Sequence, residues 1–165
     1  ILAAKEENDS VGGVIQTAVC GLPAGLGEPW FDSLEGMLSH GLFSIGGIKG
    51  VSFGAGFELA AMRGSQANDP MRMEQGQVNF VTNHNGGING GITNGMDIDF
   101  TVTFRPTPSI AKPQDTVDLS TMENATVTVT GRHDACVLPR AVPVVEAMAA
   151  MTILDNYLLN KTVKL

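Results

Sequence analysis

A layered domain of strands and helices is what the sequence predicts, and three observations support it. Residues 11–53 read as strand, helix and strand, the succession of a layered α/β arrangement. Asp97 to Phe104 alternates strictly, with Ile98, Phe100, Val102 and Phe104 facing one way and Asp97, Asp99, Thr101 and Thr103 the other. Near the end, Val142, Val145, Met148, Ala149, Thr152 and Leu158 recur at helical spacing. The 165 residues suffice for one domain with a sizeable core, and no repeat or second domain is visible, so 1–165 is read as a single unit.

Each element has a local reason. In Val11 to Cys20, Val14, Gln16 and Ala18 share one strand face and Ile15, Thr17 and Val19 the other. The run Gly21 to Gly27 breaks regular structure. A helix is then expected from Pro29, with Glu28 and Asp32 at the positive end of its dipole. Its apolar stripe would be Trp30, Phe31, Leu34, Met37, Leu38, Gly41 and Leu42, and Gly46-Gly47 would end it. Ile48 to Phe53 is a short strand. Gly54 to Gly95 lacks periodicity, and its part from about Gly64 to Gly91 is expected to be mobile. Arg105-Pro106-Thr107-Pro108-Ser109 ends the 97–104 strand, because proline donates no ladder hydrogen bond. Thr126 to Thr130 is a further strand with Val127 and Val129 inward. Four strands and two helices would thus share one core. The last helix starts near Pro139 to Pro143 and runs to about Leu159.

Composition excludes several classes. Ten Lys and Arg against 17 Asp and Glu give a net charge of −7, which disfavours nucleic acid and anionic membranes as partners. With 43% hydrophobic and 16% charged residues, the chain is not of the disordered class. No stretch approaches the ~20 apolar residues that span a bilayer. Cys20 and Cys136 form neither a CxxC pair nor a disulfide framework, which points to a reducing, cytoplasmic setting. There is no signal peptide and no initiator Met, and Ile1-Leu2-Ala3-Ala4 reads like the interior of a longer protein, so a fragment is expected.

Several short motifs have chemical readings, each with a structural alternative. Gly50-Val51-Ser52-Phe53-Gly54 matches the GxSxG nucleophile elbow, but no His–carboxylate pair follows it, and Ser52 reads as an ordinary strand residue. Gly25-Leu26-Gly27 precedes a helix as in a dinucleotide fingerprint, yet Trp30 stands where the third glycine belongs, which favours a structural turn. Gly86, Gly87, Gly90 and Gly91 offer either an anion-binding nest or a flexible loop tip. Arg105, Thr107 and Ser109 suit phosphate oxygens, or form a solvated strand end. Gly131-Arg132-His133-Asp134 groups a cation, an imidazole and a carboxylate on one loop, as a site or as a surface salt-bridge cluster. His133, Asp134 and Cys136 lack a fourth ligand and zinc spacing, so no metal is expected. His40, beside Leu38 and Leu42, reads as a packing residue.

Four blocks in order resemble the C-terminal half of the chorismate synthases. They are Asp9-Ser10-Val11-Gly12-Gly13 with Gly21 to Pro29; Lys49-Gly50-Val51 with Gly54-Ala55-Gly56-Phe57; Gly86 to Gly95; and Gly131-Arg132-His133-Asp134 with Pro139 to Ala147. Together they cover nearly the whole chain. The resemblance implies an α+β class, a layered β-α-β sandwich of antiparallel sheet and helices, and a homotetramer. It implies a carbon–oxygen lyase that converts 5-enolpyruvylshikimate 3-phosphate to chorismate by 1,4-trans elimination of phosphate, in the shikimate route to aromatic amino acids. Reduced FMN is the implied cofactor, although the reaction has no net redox change.

By resemblance, Arg132 lies near both flavin and substrate, and Asp134 is the carboxylate beside the flavin that helps relay the proton. Arg105 and Ser109 hold the FMN phosphate with Thr107 between them; Arg105 stands where the family usually has Lys, and Ser109 where it often has Thr. Gly46-Gly47 lines the flavin ring where Asn-Ala or Pro-Ala is frequent, so only backbone contacts carry over. Ala135 replaces a frequent proline, and Ser52 stands where a carboxylate is common. The family's two catalytic histidines and most substrate-binding arginines belong to its N-terminal half, and none of His40, His84 or His133 matches them. The isolated chain is therefore expected to be inactive. The alternative is a non-catalytic anion- or flavin-binding domain of the same fold.

Overall fold

The computed structural model describes residues 1–163. Its α+β architecture is built on one three-stranded antiparallel sheet with β7 (Ile98–Phe104) between β1 (Gly13–Val19) and β2 (Ile48–Phe53). In this register Gly13 stands opposite Phe104, Val19 opposite Ile98, and Phe53 opposite Phe100. The strict alternation of β7 has the expected consequence: Ile98, Phe100, Val102 and Phe104 are all buried on one face.

That face is covered by two helices, α2 (Leu34–Phe43) and α4 (Leu138–Val163). They contribute Leu34, Leu38 and Leu42, and Ala141, Val145, Ala149 and Ile153, to a single core. Each fully buried Leu, Val or Phe side chain of this core contributes about 1.5–3 kcal/mol. The helices approach closely at Gly41, where a Cβ would stand 3.0 Å from both Met148 Sδ and Thr152 Oγ1.

Several expectations change. The first long helix starts at Leu34 and not at Pro29, because Ser33 caps it by accepting from Gly36 N. Trp30 and Phe31 sit on a preceding 3-10 turn and are 87% and 93% exposed, so they leave the predicted stripe. His40 is exposed in the last turn and is not a packing residue. The helix ends at Phe43, with Ser44 Oγ donating to Gly41 O, and Gly47 (φ +95°) then turns the chain into β2. Four strands do not share the core. The predicted 126–130 strand is β9 (Glu123–Val127), paired with β8 (Gln114–Asp118) in a separate hairpin, and Val127 is exposed.

The last helix is longer than expected. Its buried stripe is Ala141, Val145, Ala149 and Ile153, while Val142 and Leu158 are exposed. Leu138–Thr162 meets the length and hydropathy of a membrane span, with mean hydropathy 1.3, contrary to the expectation that no stretch would. Its buried stripe packs on the sheet and α2.

The segment 54–95 is not an irregular loop. A 3-10 turn (Gly56–Ala61), α3 (Gly64–Ala67), the hairpin of β3 (Met71–Glu74) with β4 (Gln77–Phe80), and the two-residue strands β5 (Ile88–Asn89) and β6 (Ile92–Thr93) organise it. Gly54, Gly86, Gly87 and Gly91 are packing positions and neither an anion nest nor a loose tip, whereas Gly90 has open space beside it. A Cβ at Gly54 would lie 2.1 Å from His84 O, at Gly87 2.5 Å from Asp97 O, and at Gly91 2.3 Å from Glu28 O. The backbone amides of Gly86 and Gly87 are already engaged, donating to Asn83 O and Asn83 Oδ1. Gly27 plays the same packing role, with a Cβ position 2.3 Å from Gly91 O, which makes 25–27 a structural turn. Ser52 lies within β2 opposite Thr101, so no strand-to-helix elbow carries it.

Candidate functional site

The C-terminal end of β7 is where the sequence-predicted residues gather. Arg105 N donates to Gly47 O at 2.9 Å, which joins the strand exit to the Gly46-Gly47 turn. Ser10 Oγ donates to Thr107 O at 2.6 Å, and Val11 N to Ala135 O at 2.8 Å. Gly12 permits this convergence, since a Cβ there would lie 2.3 Å from Phe104 O. Segments 10–12, 104–107 and 135 thus meet at one end of the sheet, with the Gly46-Gly47 turn beside them.

A cleft of about 230 Å³ lies between them, lined by Ser109, Arg132 and Asp134. The predicted set therefore divides. These three share the cleft, whereas Gly46, Gly47, Arg105 and Thr107 flank the same end of the sheet without lining it. The opposite wall, which sequence reasoning missed, comes from α1 (Leu2–Glu6) and the turn after it: Lys5, Asn8 and Asp9. Asp9 opens the first motif block without a site role assigned to it, and no local pattern marks Lys5 or Asn8, because their proximity to 131–135 depends on the Ser10 and Val11 hydrogen bonds.

Two of the carboxylates are already engaged. Asp134 Oδ2 accepts from Arg140 Nη1 at 2.8 Å, and Asp9 Oδ2 from Lys112 Nζ at 2.7 Å. The Lys112 hydrogen bond, helped by the Ser10 amide, holds the Asp9 carboxyl below its ordinary range; Asp9 in turn raises Lys112. Arg132 has no ion-pair partner among the described residues. His133 Nε2 is shielded from solvent and has no hydrogen-bond partner there. An unpaired guanidinium and a hydroxyl form a donor set that fits a small oxyanion, including the phosphate end of FMN. Among the described residues no group of three metal-ligating side chains forms.

The other end of β7 holds a second polar cluster that sequence reasoning also missed. Asp69, with its side chain only 3% exposed, accepts from Thr82 Oγ1, His84 N, Asn85 N and Asn85 Nδ2 at 2.7–3.0 Å. Burial alone raises its pKa, but these hydrogen bonds together outweigh burial and lower it to about 2. Ala55 N donates to His84 O, and Gly54 N to Asp99 O, so the cluster ties 54–55, 69 and 82–87 to the sheet.

Comparison with known proteins bears on nearly the whole chain. The family model for chorismate synthase matches residues 1–158. The chain belongs to the chorismate synthase family. It is 52% identical over 153 residues to the chorismate synthase of Korarchaeum cryptofilum (strain OPF8), covering 93% of this chain and 42% of that relative. It is 53% identical over 154 residues to that of Methanosarcina acetivorans, again covering 93% and 42%. A crystal structure of chorismate synthase superposes with a TM-score of 0.74 at 32% identity, over 93% of this chain and 39% of that one. The chain thus spans about two fifths of the length of the chorismate synthases it matches.

Proposed function

We propose that this chain is the flavin-binding, C-terminal part of a cytoplasmic, homotetrameric chorismate synthase, acting on 5-enolpyruvylshikimate 3-phosphate with reduced FMN. The observation that carries the reading is the convergence of Ser109, Arg132 and Asp134 on one cleft, within a chain matched along almost its whole length to this family. Arg105 and Ser109 hold the FMN phosphate from the strand exit with Thr107 between them, and the Gly46-Gly47 backbone lines the ring side. Arg132 holds anionic ligand on the cleft side. Asp134, oriented by the Arg140 guanidinium, accepts or passes the proton that elimination releases. Reduced flavin, when bound, supplies the electron density that helps phosphate depart.

Elimination needs the phosphate clamp and the proton acceptor in place together, and a misplacement near 1 Å already costs ~10²-fold. The chain alone is therefore expected to form no chorismate. The test is an anaerobic assay with reduced FMN and 5-enolpyruvylshikimate 3-phosphate, following chorismate by absorbance. It is run on the chain alone and on the chain mixed with the separately expressed N-terminal portion of the K. cryptofilum relative. Activity only on mixing is the expected result, and Asp134→Ala in the mixture should lower turnover at least ~10²-fold while changing FMN binding less. Turnover by the chain alone would show the catalytic groups misassigned. A mixture that binds FMN and turns over nothing would favour the non-catalytic binding domain.

A further inference from the structure

The wall that faces Arg132 across the cleft is not a loose terminus. Asn8 N donates to Lys5 O and Asp9 N to Ala4 O, which closes the end of α1, and Asn8 takes φ +57°, a conformation asparagine tolerates. Ser10 and Val11 then staple the turn to Thr107 and Ala135, in the two segments that carry the other walls. Lys5 is consequently carried on a segment whose position is set from both sides.

The charges of the cleft leave a surplus. Asp9 is matched by Lys112 and Asp134 by Arg140, as described above. Lys5, like Arg132, has no carboxylate within 4.0 Å among the described residues. No hydrogen bond engages the Ser109 hydroxyl there, and His133 Nε2 remains orphaned 3.3 Å from the position a Cβ would take on Gly131. Two unmatched cations beside a free hydroxyl call for an oxyanion. The size agrees, since about 230 Å³ suits a phosphate head group and is below the range of pockets that enclose a whole cofactor. Arg105, the cation expected beside Ser109, does not line this cleft; Lys5 does.

We infer that Lys5 is a further anion-holding residue of this cleft, gripping the phosphate of a phosphate-bearing ligand opposite Arg132 and beside Ser109. The inference rests on the proposed reading of the cleft as a ligand site. It adds a residue that the family resemblance does not assign.

The probe is inorganic phosphate, titrated into the 165-residue chain and followed by backbone amide shifts and calorimetry. Shifts are expected at Ser109 and 131–135. Lys5→Ala should weaken phosphate binding about fivefold or more, Lys5→Arg should restore it, and Lys49→Ala, an exposed lysine on β2, should leave it unchanged. Circular dichroism checks that each variant is folded. If Arg132→Ala weakens binding and Lys5→Ala does not, the inference is overturned while the cleft reading stands. If neither does, or if phosphate binds elsewhere or not at all, both fall. A Lys5→Ala loss that Lys5→Arg fails to rescue would also sink the idea, because a charge-based grip survives that exchange.

Discussion

The two ends of β7 use polar groups in opposite ways. At the Ile98 end, Asp69, Asn83 and the glycines at 54, 86, 87 and 91 direct their hydrogen bonds and close contacts inward. At the Phe104 end, Lys5, Arg132, Ser109 and His133 leave theirs unmatched. Both ends are largely loop, but glycines cluster at the first, whereas 105–112 holds none and 131–135 only Gly131. The contrast teaches that a glycine-rich motif is a packing device where its amides are used up by the chain itself. A site is found where cations and donors remain unpaired around a cavity.

The sharpest way to break the contrast is to overfill the closed end. Gly54→Ala puts a Cβ 2.1 Å from His84 O at φ +53°, which should cost on the order of 3 kcal/mol in urea unfolding. Gly90→Ala, with nothing within 4 Å of the new methyl, should cost only about 1 kcal/mol despite a similar φ. Equal losses at the two positions would mean that backbone angle, and not close packing, sets the role of these glycines.

Removing the closed end's carboxylate should have a smaller effect. Asp69→Ala strands the donors of Thr82, His84 and Asn85 and should destabilise by about 2 kcal/mol. The pH dependence has a defined sign. Because folding lowers the Asp69 pKa to about 2, its contribution of about 2 kcal/mol is fully present above the unfolded value near 3.8 and is lost as pH falls through about 2. Wild-type and Asp69→Ala stability curves should therefore converge on acidification over that window, and parallel curves would remove Asp69 from the account.

The smallest effect belongs to the open end. Lys112→Ala should leave thermal stability almost unchanged, because its partners Asp9 and Glu7 are solvated and exposed ion pairs contribute little. Its visible consequence is in titration: the Asp9 carboxyl should rise back toward its ordinary value, which carbon-detected NMR would follow. A large stability loss would mean that Lys112 organises the cleft wall and does not merely neutralise Asp9.

What local chemistry can encode was legible. The period-2 pattern of 98–104 predicted a strand with one buried face, and the ordered motif blocks pointed to the family, because each depends only on neighbours in the chain. Residues 131–134 were recognisable as chemical because a cation, an imidazole and a carboxylate adjoin there. The start of α2 was also written locally, in the Ser33 cap, but the apolar run Trp30-Phe31 masked it.

Tertiary structure decided the rest. Whether an apolar residue is buried depends on what covers it, so Trp30, Phe31, Val127 and Leu158 are exposed although their spacing is that of core residues. Whether Gly86 and Gly87 bind an anion or a neighbouring strand depends on where 54 and 97–99 pass. Lys5 faces the Arg132 loop only because Ser10 and Val11 are hydrogen-bonded to residues about a hundred positions away. Hydrophobic period and capping are properties of a few adjacent residues, whereas charge matching and cavity shape are set by segments that meet only once the chain has folded.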